Sequence, residues 1–289
     1  MVLEYLLGYE MNKPLQLFGT GVFFSSIAVF VSAALFAHSP SMVVVTFMTL
    51  PMVYIWTSLI GKRSVHEASG DTFRHLWTDN IGIAEDFLVL FLGMTVGVAI
   101  WFSVLPEEML SNLFSEQLWN LNSIGVATGF ATTAMATTSS AIRPDVFLVI
   151  AANNLKLVLL SALLSFVFAA GALFILAWNA SVVGVAVGTI INKLRVAGAI
   201  APIALGQGLG LGVIFYILHL VPEVVAYFYA SVAGAFISSA LLKYKPMTRQ
   251  SNRLLVISAA MLAISVGMIM IGALIEVGIS HQLQATLHI

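Results

Sequence analysis

Apolar residues along this chain come in long uninterrupted runs, separated by short polar or proline-bearing stretches. A helix needs ~20 mostly apolar residues to cross a bilayer. Runs of that kind cover 17–37, 42–60, 87–105, 155–178, 196–218, 224–242 and 254–278. His38, Ser39 and Pro40 separate the first two. Pro51 falls inside the second, where neighbouring helices can satisfy the carbonyl that proline leaves free. Asn153 and Asn154 lead into the fourth. Residues 179–191 are apolar but too short to span, and read as a continuation of the preceding run, a re-entrant piece or an interfacial helix, in each case without crossing. The first residues, with Glu4, Glu10 and Lys13, lack the pattern of a signal peptide and read as a short amphipathic surface segment. The predicted fold is all-α: a polytopic transmembrane helix bundle of about seven spans plus that one short helix.

Composition agrees with this pattern and removes alternatives. The chain has 289 residues, of which 60% are hydrophobic and only 9% charged, with a mean hydropathy of +1.01. A soluble domain carries about 25% charged residues, so this chain cannot coat a water-facing globule. A formal net charge of -1 gives no basic signature for nucleic acid. The absence of Cys excludes disulfides and thiolate ligands. No motif calls for a cofactor; Gly206-Gln207-Gly208 follows no strand and precedes no Lys-Ser/Thr pair.

Basic residues favour cytoplasmic loops. With a cytoplasmic N-terminus, Lys13, Lys62, Arg63, Arg74, Lys193, Arg195, Lys243, Lys245, Arg249 and Arg253 are expected inside, with Arg143 and Lys156 outside. The C-terminus is then extracytoplasmic in a multi-pass protein of the cell membrane. This bias holds only if 179–191 does not cross. Three regions follow: 1–80, with the amphipathic segment, a transmembrane hairpin and a cytoplasmic loop; 81–145, with the third span and an outer loop; and 146–289, with four spans. The outer stretch 106–145 starts acidic and turns into a Gly/Ala/Thr/Ser-rich run, expected to be loosely ordered.

Lipid gives helices no hydrophobic reason to associate, so small residues that let backbones approach mark contacts. Gly184 and Gly188 form one such face, Gly206 and Gly210 (with Gly208 and Gly212) a second, and Gly234 a third. They predict close packing within the chain or in a homo-oligomer. Asn179 is expected to cap the helix after the fourth span.

Ionisable groups at membrane depth are candidate functional residues by default. Asn153, Asn154, His219, Glu223 and Glu276 all fall near the outer ends of their predicted spans, which predicts one shared polar cluster. His219 and Glu223 are four apart and share a face if the helix continues, whereas Pro222 favours a helix start that would place Glu223 in the first turn. The cluster could cross-link helices, bind a metal, proton or polar head group, or act catalytically. The residues alone leave the metal open and name no catalytic residue.

At these positions the chain resembles the stage II sporulation protein M family in its archaeal-type branch. The resemblance is carried by Asn153-Asn154-Leu155-Lys156, by residues 170–184, by His219-Leu220-Val221-Pro222-Glu223 continuing through Ala226-Tyr227-Phe228 to Gly234, and by Ala273-Leu274-Ile275-Glu276-Val277. Leu220 stands where the family pattern has Gly. The resemblance implies a multi-pass protein whose bacterial members serve spore engulfment within a membrane complex that works with wall-degrading partners. The first functional expectation is therefore a non-enzymatic component of a membrane or envelope remodelling complex, with lipid, further copies of itself and other envelope proteins as partners. The alternatives are a transporter or permease-like protein with an outer-leaflet polar site and, second, an intramembrane hydrolase.

Overall fold

The computed structural model describes residues 14–36, 40–53, 78–128, 144–168 and 171–287. Among them the regular structure is helical: α1 (Pro14–Leu35), α2 (Pro40–Val53), α3 (Thr78–Val104), α4 (Glu107–Leu113), α5 (Ser115–Thr128), α6 (Pro144–Val167), α7 (Gly171–Val196), α8 (Ala201–Leu242) and α9 (Arg249–Leu287). Six of these are long and apolar enough to cross a membrane, and α2 is a shorter apolar helix. This is a multi-pass membrane helix bundle. The proposed amphipathic start, residues 54–60 of the second span, most of the loop before α3 and much of the Thr/Ser run (129–143) lie outside the described residues.

Several predicted boundaries are corrected. The span expected at 155–178 is interrupted after Val167, and its second half belongs to α7. Residues 179–191 are therefore no separate short helix but the body of a 26-residue apolar one. The runs 196–218 and 224–242 are a single 42-residue helix, α8, with Pro222 in its interior. At ~1.5 Å per residue α8 is about 63 Å long, twice the ~30 Å of a bilayer core. Apolar runs alone do not reveal these joins, because hydropathy falls and rises again without the backbone stopping.

The α7–α8 turn has a clear local cause. Gly198 takes φ +98°, the Ala199 N–H donates to the Leu194 carbonyl (3.0 Å) and the Gly198 N–H to Arg195 (3.0 Å). This is a Schellman stop, which needs the left-handed residue that Gly supplies without penalty. Pro202 then opens α8 within its first two positions.

Small residues set the helix directions. An added Cβ on Gly21 would lie 2.7 Å from the Leu90 carbonyl, and one on Gly97 would strike Ser25, while Trp101 Nε1 donates to Ser26 Oγ (2.8 Å). α1 and α3 therefore run parallel. On the other side of α3, Gly184 meets Val98 and Gly188 meets Phe102, and Arg195 Nη1 donates to the Ser103 carbonyl (2.6 Å). α7 is thus parallel to α3. Gly208 against Ile191 and Gly212 against Val187 set α8 antiparallel to α7. Ser251 Oγ on Ala240 O (3.1 Å) starts α9 beside the end of α8.

These pairings place Lys193 and Arg195 at the end where α3 finishes, called upper here, and Lys243, Lys245 and Arg249 at the opposite, lower end. The expected grouping of all these residues on one side is therefore wrong. It followed from treating 179–191 as non-crossing. The upper end is capped by α4 and α5, so the outer stretch is ordered from residue 107 to 128. Leu110, Leu113, Phe114 and Gln117 face inward while Glu107, Glu108, Glu116 and Trp119 stay exposed. Phe114 packs edge-on against Phe102, and Gln117 Nε2 donates to Ser181 Oγ (3.1 Å).

Candidate functional site

α6, α8 and α9 meet near the middle of α8, and most of the predicted polar residues meet there. Asn154 projects from the end of the third turn of α6 and is buried, as are Glu223, His219 and Tyr227 on α8. Asn154 Nδ2 donates to Glu223 Oε1 at 2.6 Å. Tyr227 Oη donates to Asn154 Oδ1 at 3.0 Å. An ionised carboxylate only accepts, so it takes the amide NH₂ and leaves the amide oxygen to accept from the tyrosine. Both ends of the amide are used, and two helices are tied by one side chain.

The spacing of this face follows from the continuity of α8. Residues 219, 223 and 227 are four apart and lie along one stripe because the helix runs through Pro222. Glu223 is therefore not in a first helical turn, and no helix N-terminus stabilises its carboxylate. Tyr216 stands one turn further up, its ring edge-on to His219 at 5.9 Å between centroids.

α9 closes the site. Glu276 is half-buried and within electrostatic reach of Glu223, Tyr227 and Tyr216. Gly272 lies directly opposite: a Cβ there would be 3.1 Å from Glu223 Cγ and 3.3 Å from the His219 carbonyl. The bare backbone is what lets α9 approach the glutamate stem. Asn153 is half-buried and takes no part in the two bonds of Asn154.

The remaining predicted residues divide. Gly184 and Gly188 press on α3, and Gly234 on the backbone of Ala162 in α6. Beside it Ser165 and Ser231 share a hydrogen bond of 2.9 Å. Gly206 and Gly210 have nothing within 4 Å of an added Cβ; they face outward, and Gly208 and Gly212, two residues out of phase, make the contacts. Asn179 caps no helix: it lies within α7 and donates back to the Ile175 carbonyl (2.9 Å). Among the described residues, no three His, Asp or Glu side chains are grouped to hold a metal ion.

Tyr227 and Gln117 are not among the candidate site residues that the sequence pattern marks. Tyr227 was within reach, being four residues after Glu223 on the stripe that starts at His219. Gln117 had no such signal, because its burial depends on α5 folding down onto α7. Its Oε1 is buried and has no hydrogen-bond partner among the described residues.

No curated protein and no solved structure matches the chain. The family model for Stage II sporulation protein M matches residues 119–281, more than half of the chain, from within α5 to the upper end of α9. The matched region contains every member of the polar cluster. The chain belongs to the Stage II sporulation protein M family.

Proposed function

We propose that this protein is a non-enzymatic component of a membrane or envelope remodelling complex, in which the bundle acts as a scaffold. The observation that carries this reading is the use of Asn154, whose amide is consumed at one end by Glu223 and at the other by Tyr227. A buried polar group in lipid is costly unless it is paired, and here the pairing holds α6 against α8. Polar residues used in this way fix a bundle's shape. The partners are other envelope proteins or a second copy of the chain.

The proposed orientation in the cell membrane places the lower end in the cytoplasm and the C-terminus outside. The exposed Lys243, Lys245 and Arg249 at the lower end support it, outnumbering the exposed Lys193 and Arg195 at the upper end.

A permease-like function is the second reading. It is favoured by one observation: two carboxyls, Glu223 on α8 and Glu276 on α9, sit on helices that pack together at Gly272, one turn from Glu276.

The two readings are separated by cross-linking in native membranes combined with reconstitution into sealed vesicles. The scaffold reading expects a stoichiometric larger assembly and no solute uptake that depends on Glu223. A monodisperse, partnerless protein whose Glu223→Gln variant loses uptake of a solute would overturn it.

A further inference from the structure

α6 carries a charge at membrane depth on the side that faces away from the bundle. Lys156, expected outside the membrane, lies twelve residues after Pro144 and eleven before Val167, at the centre of the helix, and it is exposed. Asn154 faces the bundle, and two residues on, at about 100° each, the helix has turned to its opposite face. That face is otherwise suited to lipid: Leu148 is 63% exposed, Leu159 61% and Leu163 60%. Either end of α6 is about 16–18 Å from Lys156, whereas a lysine stem reaches only about 6 Å. The ammonium therefore stops short of any head group, and a cation held at that depth is costly unless it meets an opposite charge.

The complement stands on another flank. On α3, Glu85 is exposed and Asp86 half-buried, and Glu85 lies about 10 Å inside the lower end of that helix at Thr78. Among the described residues, neither these carboxylates nor Lys156 makes an ion pair. α3 packs on α1, α7 and α8, and α6 on α5, α7, α8 and α9, so the two charges leave the bundle on different sides. Their depths nevertheless agree. Asn154 bonds Glu223 and Ala162 meets Gly234, so α6 runs parallel to α8 and Lys156 stands beside the turn from Glu223 to Tyr227. Phe87 packs edge-on against Phe228, 5.6 Å between centroids, which puts Glu85 within about one helical turn of the same depth.

We infer that Lys156 of one copy pairs with Glu85 of a second copy, α6 of the first lying along α3 of the second. The inference rests on the scaffold reading and names the partner in it. Two copies in one membrane share their orientation, so equal depth is what lets the pair form. α6 descends where α3 rises, and the two helices pack antiparallel. Because the charges sit on different flanks, the contact is head-to-tail, and it closes into a ring or continues as an open row in the membrane plane. Lipid alone satisfies the exposed leucines and leaves the ammonium without a counter-charge.

The test is disulfide cross-linking between two differently tagged copies of the full chain, co-expressed in native membranes. Ala152→Cys in the first copy and Val89→Cys in the second place a thiol one turn above each charge in this Cys-free chain. The mixed pair is expected to cross-link. Adding Lys156→Glu to the first copy is expected to lower the yield by roughly tenfold or more, and Glu85→Lys in the second copy to restore it. Lys156→Met is also expected to lower the yield, while the variant inserts and folds at least as well as wild type because its side chain suits the lipid face. Loss of the link is then not loss of the fold. Cross-linking indifferent to Lys156→Met would overturn the inference, as would a larger assembly that holds a single copy of the chain; both leave the scaffold reading standing. Loss of a different membrane protein on Lys156→Met, with the copies still linked, would assign the lysine to that protein instead. Absence of any larger assembly would overturn both readings.

Discussion

Two glycine-to-alanine changes in the same helix are expected to act with opposite sign. A Cβ on Gly234 would fall on the Ala162 carbonyl oxygen and within 2.9 Å of its carbon, which are backbone atoms of α6. No rotamer change relieves that overlap, so α6 and α8 must part. Overpacking of this kind costs about 1–3 kcal/mol. The separation also stretches the adjacent Ser165–Ser231 bond of 2.9 Å, a further ~0.5–1.5 kcal/mol. Alanine recovers about 1 kcal/mol of helix propensity relative to glycine. The net expectation for Gly234→Ala is a loss of about 0.5–3.5 kcal/mol. Gly206→Ala meets nothing within 4 Å and keeps only the propensity gain, so it is expected to stabilise by up to ~1 kcal/mol. Reversible unfolding in mixed micelles with increasing SDS measures both. Equal effects of the two changes, or a stabilising Gly234→Ala, would refute the assigned α6–α8 contact.

Asn154→Leu leaves the Glu223 carboxyl and the Tyr227 hydroxyl without their shared partner and is expected to cost about 2–3 kcal/mol in the same assay. Tyr227→Phe removes one donor only and is expected to cost about 1 kcal/mol; a cost equal to that of Asn154→Leu would contradict the described chain of bonds. Gln117→Leu gives up the bond to Ser181 but also removes a buried acceptor that has no partner among the described residues, so its stability is expected to stay within about 1 kcal/mol of wild type. Cysteines placed at Lys193 and Lys245 in this Cys-free chain are expected to react with a membrane-impermeant maleimide from opposite faces of a sealed vesicle. Labelling of both from one face would restore the topology in which 179–191 does not cross.

How much of this was legible in the residues depends on what each feature needs. Membrane depth, and the meeting of Asn154, His219, Glu223 and Glu276, follow from where polar residues interrupt apolar runs. Helix ends proved harder to place. Pro222 reads as a helix start, yet inside a bundle its lost hydrogen bond is tolerated and α8 runs through it. The break after Val167 has no proline or charge to announce it, and Gly171 serves there to bring the chain close under Leu164. The GxxxG pairs in α8 identified a contact but not its phase: 206/210 and 208/212 are equivalent as text, and only the position of Ile191 and Val187 selects the second pair. The errors share a cause, since each depended on a neighbouring helix that local pattern does not specify.

The proposed scaffold role needs Glu223 as the acceptor of the Asn154 amide, and on that proposal its charge is expected to be dispensable. Glu223→Gln keeps an oxygen where Asn154 Nδ2 can reach it and removes the charge. The direct measurement is the size and composition of the assembly recovered from native membranes carrying Glu223→Gln, with Asn154→Leu alongside. The account predicts an unchanged assembly for Glu223→Gln and a depleted one for Asn154→Leu. A Glu223→Gln protein that is as stable as wild type yet loses its assembly would show that the charge itself is used, and would contradict the account.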